Sequence, residues 1–345
     1  MSRPPIFRTW SIRPLLLPLV PVYRLALAAR ELRLRAGLEP VRRLHWPVVS
    51  IGSLSAGGAG KTPLTIALTN LLIRNGFHVD VLSRGYGRQS REPARVNPAG
   101  SAEEFGDEPL LIARAANVPV YVAAQRYRAG LLAEEAEPAH DRARAPHVHL
   151  LDDGFQHRQL ARDFDILLID LKDWHDRVLP AGNLREPLSA IRRATVIAIP
   201  ADAPDLEAHL KAFGWSGPIW RLRRAMEIRA VTGPIAAFCG IARPAQFFRG
   251  LESAGLPLVV RAIFPDHHRY SARDLDHLLS SARAAGATAL ITTEKDHVRL
   301  GNLSSALTAH LPLHTASLRV EIEDEPAVSK WLKERLSSAS TPRPV

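Results

Sequence analysis

Short apolar runs alternate with stretches of helical periodicity along most of this chain. Nine apolar runs predict strands, and they are Val48–Ile51, Val79–Leu82, Val118–Val122, Val148–Leu151, Ile166–Ile169, Val196–Ile199, Ile235–Phe238, Leu258–Ile263 and Ala289–Thr292. Helical spacing separates most of them, for example in Thr62–Asn75, Pro109–Ala115, Ala272–Ala285 and Pro326–Leu336. Strands that alternate with helices are typical of a mainly parallel sheet covered on both faces. The pattern therefore predicts an α/β fold.

The N-terminal segment has a different pattern. Its longest uncharged run is the ten residues Pro14–Tyr23, and a spanning helix needs about 20 apolar residues, so a single-pass anchor is not expected. From Pro21 onward the spacing predicts an amphipathic helix, because Arg24, Glu31 and Arg35 share one helical face. Two interpretations stay open: the helix lies in the plane of a membrane, or it packs on its own domain with its arginines solvated.

Composition and charge narrow the class of protein. With 345 residues, 46% hydrophobic and 23% charged, the chain is an ordinary globular protein with room for about two domains. A single cysteine, Cys239, excludes an internal disulfide and a multi-cysteine zinc site. The net charge is +10, and residues 1–47 carry nine Arg and two Glu. A basic N-terminus that also carries apolar residues favours an anionic membrane surface as its binding partner. A nucleic-acid-binding protein would more often spread Lys and Arg over the face of a domain.

A glycine-rich loop follows the first predicted strand and precedes a helix. Its residues are Ser55, Ala56, Gly57, Gly58, Ala59, Gly60, Lys61 and Thr62. Glycines let backbone N–H groups surround phosphate oxygens, and the helix N-terminus adds a positive dipole end. Lys61 can reach the β- and γ-phosphates, and the Thr62 hydroxyl can ligate Mg²⁺. Ser55 stands where the strict pattern has glycine, so this is a variant P-loop.

Paired carboxylates close another predicted strand. Asp152 and Asp153 follow His147–Leu151 directly, the arrangement in which an aspartate at a strand end holds Mg²⁺. Asp152 is our candidate metal ligand, and Asp153 could orient a nucleophile. The run Phe164–Asp170 offers Asp170 as an alternative ligand. These two motifs indicate an NTP-binding protein without distinguishing a kinase from an ATPase switch.

Further motifs follow in a specific order. They are SRGYGR at 83–88, GDEP at 106–109, DDGFQH at 152–157, LPAGNLREP at 179–187, GIARP at 240–244, DHHRY at 266–270 and TEKD at 293–296. In this order they closely resemble the tetraacyldisaccharide 4'-kinase family, over about residues 10 to 335. That family phosphorylates the lipid A precursor at the inner membrane of Gram-negative bacteria. The resemblance implies a kinase that uses ATP and Mg²⁺, acts on an acylated disaccharide lipid and sits peripherally on the cytoplasmic face of the inner membrane.

The resemblance also implies roles for individual residues. Asp107 and His267 would activate the acceptor hydroxyl together with Asp153. The P-loop from Ser55 to Thr62 would hold ATP, with Thr62 and Asp152 on Mg²⁺. The residues implied to bind substrate are Arg84, Tyr86, Gln156, His157, Arg185 and Glu186. No nucleic acid and no obligate protein partner are inferred.

Plainer roles remain open for several of these residues. Asp107 opens an apolar helical run and could be its N-cap. His267 could be an interdomain or surface histidine, and Arg84 and Tyr86 could simply form a loop. Lys295 could contact the nucleotide base or pair with its neighbours Glu294 and Asp296. At the level of function, the alternatives are a membrane-recruited P-loop ATPase switch and a nucleic-acid-binding NTPase.

The domain organisation follows from these assignments. We expect a basic, membrane-associating N-terminus at residues 1–46 and a P-loop nucleotide-binding and substrate domain at 47–215. A smaller C-terminal α/β lobe is expected at 216–325, with a C-terminal helix and tail at 326–345. The expected fold is thus a P-loop NTPase-type parallel sheet with helices on both faces, a second smaller lobe and an N-terminal amphipathic helix.

Overall fold

A computed structural model describes residues 13–136, 145–229 and 231–339 of the protein. The first twelve residues of the expected N-terminal segment and the end of the expected tail lie outside these ranges. The strands are β1 (Val48–Ser53), β2 (His78–Ser83), β3 (Ala94–Arg95), β4 (Val120–Val122), β5 (His147–Asp152), β6 (Phe164–Leu168), β7 (Val196–Pro200), β8 (Ile219–Ile228), β9 (Ile235–Cys239), β10 (Leu258–Ile263), β11 (Ala289–Thr293) and β12 (Leu313–Ile322). The helices are α1 (Val20–Arg35), α2 (Lys61–Arg74), α3 (Ala102–Phe105), α4 (Asp107–Ala116), α5 (Arg126–Ala136), α6 (Leu171–Trp174), α7 (Pro204–Ala212), α8 (Pro244–Ser253), α9 (Ala272–Ala284), α10 (Glu294–Leu300), α11 (Leu303–Thr308) and α12 (Glu325–Ala339), with 3₁₀ turns at Arg13–Leu19 and Leu188–Arg193.

The described strands form one sheet in the order β10-β9-β11-β12-β8-β7-β6-β1-β5-β2-β4-β3. The pairs β8–β12 and β3–β4 are antiparallel, and the other neighbours are parallel. The N-terminal half (β1 to β7) and the C-terminal half (β9 to β11) are joined through β8 and β12. The mainly parallel α/β sheet predicted from the alternation of strands and helices is confirmed.

Strand β6 shows why the apolar runs are continuous. Ile166 and Leu168 pack into the core beneath α2, whereas Leu167 packs into a separate core on the opposite face. Successive strand residues point to opposite faces, so a strand covered on both sides needs apolar residues at every position. Such continuous runs are the ones that the sequence pattern detects most readily.

The same reasoning explains two strands that the pattern missed. In β8, Trp220 and Leu222 are buried, whereas several of the residues between and after them are exposed or half-buried arginines. In β12 the buried positions are likewise separated by exposed or half-buried ones. Because one face of each strand is polar, neither strand contains a continuous apolar run in the sequence. These two strands nevertheless connect the halves of the sheet. The strand predicted from Val118 begins instead at Val120, because Pro119 has no N–H for the ladder.

Helix α1 lies on the N-terminal half with none of its residues fully buried. Val20 and Tyr23 pack against the core that contains Leu167. Val22, Leu25 and Leu32 are exposed to 65%, 71% and 68%. Among the helices that the structure describes, none is both long and apolar enough to cross a bilayer.

Candidate active site

The glycine-rich loop connects β1 to α2 at the carboxyl edge of the parallel strands. Gly57, Gly58 and Gly60 adopt positive φ angles of 78°, 64° and 90°, a region that only glycine occupies without steric cost. Gly60 is the N-cap of α2, and no side chain caps that terminus. The first N–H groups of α2 are therefore available to an anion at the positive end of the helix dipole.

Lys61 and Arg185 lie on either side of the Asp153 carboxylate. Lys61 Nζ is 3.5 Å from Asp153 Oδ1 and 3.3 Å from Ser53 Oγ. Arg185 Nη1 donates to both oxygens of Asp153, at 2.8 and 2.9 Å. Burial alone would raise the pKa of Asp153, but the charges of Lys61 and Arg185 lower it overall. The carboxylate is thus ionised and holds two cations beside the phosphate loop.

Asp152 ends β5 with one carboxylate oxygen unsatisfied. Its Oδ1 accepts a hydrogen bond from Thr65 Oγ1 of α2 at 3.0 Å. Its Oδ2 is buried and has no hydrogen-bond partner within the described ranges. Burial, together with the negative charges of Glu108 and Asp153, raises the pKa of Asp152. A buried carboxylate oxygen without a donor, close to the first turns of α2, fits an oxygen-coordinated cation such as Mg²⁺.

The alternative metal ligand, Asp170, has a different environment. It follows β6 by two residues and accepts a hydrogen bond from Arg243 Nη1 at 2.8 Å. Burial would raise the pKa of Asp170, but the Arg243 and Arg224 guanidinium groups lower it. This carboxylate is already neutralised by a side chain of the C-terminal half, which makes Asp152 the better candidate for a metal.

Asp107 and His267 meet between the two halves. Asp107 Oδ2 lies 3.0 Å from His267 Nδ1, and Arg299 Nε donates to the same oxygen at 2.8 Å. Burial would raise the pKa of Asp107, but the hydrogen bond with His267 and the charges of Arg299 and Lys295 lower it strongly. The hydrogen bond with Asp107 raises the pKa of His267, against the effect of burial. The N-cap role considered for Asp107 is wrong, because Gly106 occupies that position and Asp107 is the first residue of α4.

Comparison with known proteins decides the family. A sequence profile described as Tetraacyldisaccharide-1-P 4'-kinase matches residues 12–337. The chain belongs to this 4'-kinase family. The tetraacyldisaccharide 4'-kinase of Koribacter versatilis is 42% identical over 321 residues, which cover 90% of this chain and 95% of that protein. The one of Nitrobacter winogradskyi is 38% identical over 350 residues and covers 98% of both chains.

A solved structure supports the same assignment. The crystal structure of "apo" form LpxK from Aquifex aeolicus in complex with ATP has a TM-score of 0.71 and 31% sequence identity to this chain. The match covers 94% of this chain and 99% of that one. The resemblance inferred from the ordered motifs is therefore confirmed, and so is the P-loop kinase fold.

Within this member of the 4'-kinase family, the DDGFQH loop packs against the phosphate loop. Gln156 Nε2 donates to the Ser53 carbonyl at 3.1 Å, and Arg185 Nη1 donates to Gln156 Oε1 at 3.3 Å. Burial and the charges of Arg126 and other arginines lower the pKa of His157 to about 3. His157 is therefore neutral at physiological pH in the absence of a bound anion.

The remaining substrate candidates differ in their surroundings. The ring centroid of Tyr86 lies 5.2 Å from that of His267, and the Tyr86 side chain is mostly exposed. Arg84 is exposed and acts electrostatically on Arg126 and His157. The nearly buried carboxylate of Glu186 pairs with Arg193. This ion pair stabilises the loop that contains Glu186, and little of the Glu186 side chain is exposed to a ligand.

Several site residues were missed by sequence reasoning. Arg126 is 8% exposed and donates to the Ala124 carbonyl at 2.9 Å, while its Nε has no partner among the described residues. Its pKa is lowered to about 10 by burial and by Arg84, while Asp153 and Asp152 oppose that shift. It opens α5 without any motif around it, so only the proximity of these charges in the fold could have found it.

Two arginines of the C-terminal part also reach the phosphate loop. Arg224 Nη2, on β8, donates to the Ala59 carbonyl at 2.8 Å. A Cβ atom on Gly58 would lie 2.8 Å from the Arg243 side chain. Lys295 pairs with Glu108 across the two halves and not with its neighbours Glu294 and Asp296. The GIARP and TEKD motifs thus act at the boundary between the halves.

Proposed function

We propose that this chain transfers the γ-phosphoryl group of ATP to the 4'-hydroxyl of tetraacyldisaccharide 1-phosphate, giving lipid IVA and ADP. One observation carries this proposal: the phosphate loop lies beside the Asp107–His267 pair. A Cβ atom on Gly57 would lie 3.9 Å from Asp266 Oδ2, and Asp266 directly precedes His267. A phosphate donor site next to a base is the arrangement that phosphorylation of an alcohol requires.

The residues at the donor site supply positioning and positive charge. The backbone from Ser55 to Thr62 would surround the phosphates, with Lys61 on the β- and γ-phosphates. Thr62 and Asp152 would hold Mg²⁺, which when bound neutralises charge on the transferring group. The buried, unpaired Oδ2 of Asp152 supports this assignment. Asp153 would keep Lys61 and Arg185 in place before ATP arrives.

The acceptor would be activated at the Asp107–His267 pair. An alcohol hydroxyl is a poor nucleophile at neutral pH, and a positioned base typically accelerates such reactions by about 10²–10⁴-fold. Arg185 and the adjacent Gln156, together with Arg84 and Tyr86, would bind polar groups of the disaccharide. We assign these residues to acceptor binding because arginines dominate this side of the site and the acceptor carries a phosphate.

The N-terminal helix would bring this site to the membrane. Tyr23 Oη donates to the Arg185 carbonyl at 2.8 Å, and Arg30 donates to the Gln156 carbonyl. The helix therefore touches both acceptor loops while Leu25 and Leu32 face outward. Exposed leucines and arginines together suit an anionic bilayer, where each basic side chain near the surface contributes about 1 kcal/mol. We infer peripheral attachment to the cytoplasmic face of the inner membrane.

Two lobes, residues 47–215 and 216–325, would close over the substrates. The ion pairs that link them include Asp107 with Arg299, Glu108 with Lys295, and Asp170 with Arg243. Closure of the lobes would assemble the base beside the phosphate loop and exclude water. This coupling would limit the hydrolysis of ATP in the absence of acceptor.

Transfer of label from γ-³²P-ATP tests the proposal directly. The acceptor is tetraacyldisaccharide 1-phosphate in detergent micelles, and the variant is Lys61→Ala. Lys330→Ala, at an exposed position on α12, is the matched control. We expect labelled lipid with the wild type and Lys330→Ala, and none with Lys61→Ala. Release of phosphate at one rate with or without lipid, and no labelled lipid, would instead indicate an ATPase switch.

A further inference from the structure

Arg299 occupies the boundary between the two halves. It lies on α10, and its side chain is 5% exposed. Its Nε donates to Asp107 Oδ2 at 2.8 Å, and its Nη1 donates to the Gly240 carbonyl at 2.6 Å. One planar guanidinium thus connects the carboxylate of the N-terminal half to the backbone of the C-terminal half.

The Gly240 carbonyl also holds the backbone of His267. The His267 N–H donates to this carbonyl at 3.1 Å and to Asp266 Oδ1 at 3.1 Å. His267 has a φ of 58°, a left-handed conformation that a non-glycine residue adopts only when its surroundings impose it. Arg299 therefore contacts the Asp107 side chain directly. It is linked to the His267 backbone through the Gly240 carbonyl, which accepts hydrogen bonds from both residues.

Asp296 anchors the guanidinium from behind. This fully buried carboxylate accepts from Arg299 Nη1 at 2.9 Å, from Tyr270 Oη at 2.8 Å and from the Gly240 N–H at 2.9 Å. A network in which the buried carboxylate has several donors holds its members in one arrangement. The C-terminal half thus sets the position of the Arg299 guanidinium, and its Nε–H remains available to donate to Asp107.

Resting on the function proposed above, we propose that Arg299 is a positioning residue that holds Asp107 and His267 as one unit and leaves His267 Nε2 to take the hydroxyl proton. Asp107 Oδ2 already accepts from two side chains, and its Oδ1 accepts from the Glu108 N–H at 3.0 Å. His267 Nε2 has no hydrogen-bond partner in the described part of the chain. In the step, the O–H bond of the acceptor breaks and its oxygen bonds to the γ-phosphorus. The bond from that phosphorus to the leaving oxygen of ADP breaks, and the proton moves to Nε2.

The charges around His267 give this role a measurable signature. Asp107 and Asp266 raise the pKa of His267, whereas burial and the positive charge of Arg299 lower it. The Tyr86 ring also faces the imidazole. Because only the neutral imidazole accepts a proton, removal of the Arg299 charge moves the acid limb of the kcat profile to higher pH.

Two variants separate charge from geometry. Arg299→Gln removes the positive charge. Arg299→Lys keeps the charge on a single nitrogen, which cannot donate to Asp107 and to the Gly240 carbonyl with the geometry of the planar guanidinium. We expect both to lower kcat on the order of 10²-fold through misplacement of the pair, with little change in KM for ATP. Only Arg299→Gln should move the acid limb to higher pH. Wild-type kcat in folded Arg299→Gln, or an equal loss in both variants without movement of the limb, would overturn the proposal.

A measurement on the unaltered protein covers the case in which these variants fail to fold. In ¹⁵N-detected imidazole spectra of the wild type, neutral His267 should carry its proton on Nδ1 and a lone pair on Nε2. A proton on Nε2 at a pH of full activity would refute the proposal. Absence of lipid phosphorylation by the wild type would instead count against the proposed function, so the two failures are distinguishable.

Discussion

The Oδ2 atom of Asp107 lies 3.0 Å from Nδ1 of His267, although 160 positions separate the two residues in the chain. Asp107 begins a helix of the N-terminal half, and His267 lies in the loop before α9 of the C-terminal half. An imidazole that is hydrogen-bonded through Nδ1 to a carboxylate presents Nε2 as its basic atom. This contact makes the assembled halves a condition for the proposed base to be in place.

Replacement of His267 tests that base. We expect His267→Ala to lower kcat by about 10²–10⁴-fold, because the acceptor loses its general base, while KM for ATP changes little. His268→Ala is the matched control, since His268 pairs with Asp274 on the same side of the C-terminal half. Steady-state kinetics at saturating substrates measure both. A kcat for His267→Ala within about threefold of the wild type would show that His267 is not the base.

Gly58 tests the contact between the phosphate loop and the C-terminal half. A Cβ atom there would lie 2.8 Å from Arg243, so Gly58→Ala should displace the loop or the arginine and raise KM for ATP. Gly87→Ala is the matched control, because its φ of 79° is equally unfavourable while no atom lies within 4 Å of the added Cβ. The left-handed backbone conformation destabilises both variants by about 1 kcal/mol. Only Gly58→Ala also introduces a steric clash with Arg243.

The double variant decides whether the clash is the cause. If Arg243 is what the new methyl group meets, Gly58→Ala combined with Arg243→Ala should bind ATP better than Gly58→Ala alone. Titration calorimetry with a non-hydrolysable ATP analogue measures this. Equal affinity of the Gly58→Ala and Gly87→Ala proteins would show that the contact with Arg243 does not matter for ATP.

The exposed leucines of α1 predict membrane attachment. Leu25→Gln combined with Leu32→Gln should weaken binding to anionic vesicles by about tenfold or more, because burying a leucine side chain contributes roughly 1.5–3 kcal/mol. Point substitutions are preferable to deletion of the helix, since Val20 and Tyr23 pack on the core. Ile73→Gln combined with Val259→Gln is the control, as both positions are 43% exposed away from α1. Unchanged sedimentation of the leucine variant with vesicles would refute the attachment.

His149 predicts a pH dependence of stability. It is fully buried on β5, with Nδ1 2.7 Å from Asp80 Oδ1 and Nε2 3.4 Å from Glu134 Oε1. Burial opposes its charge, but Asp80 and Glu134 raise the pKa of His149 to about 9. The pKa of His149 is thus higher in the folded protein than its value of about 6.5 in the unfolded chain. The protonated imidazole therefore stabilises the fold fully below pH 6.5, and this stabilisation is lost as the pH rises through about 9.

Substitution of His149 should therefore have a pH-dependent cost. The loss in free energy of unfolding caused by His149→Gln should be larger at pH 6 than at pH 10, by on the order of a few kcal/mol. Urea denaturation at the two pH values measures the difference. His310→Gln, at an exposed position after α11, is the matched control. An equal cost for His149→Gln at both pH values would mean that the imidazole is neutral in the folded protein.

The phosphate loop and the paired aspartates were predictable because each is local. Gly57, Gly60 and Lys61 lie within one turn between a strand and a helix, so spacing alone sets which backbone groups face a phosphate. Asp152 ends a strand beside β1, and parallel strands present their carboxyl ends at the same edge. Short-range backbone geometry determines these features, and the sequence displays it directly.

Other features arose only when distant segments packed together. Arg299 and Arg126 lie outside the motifs identified in the sequence, and only the packing of distant segments brings them to the site. The pairing of Lys295 with Glu108 and the burial of Glu186 likewise depend on which faces meet. The amino-acid sequence by itself therefore determined the fold class, the nucleotide loop and, through its ordered motifs, the family. Only the tertiary structure decided which charges neutralise one another, because ion pairs between segments depend on through-space distance and burial, which spacing along a chain does not encode.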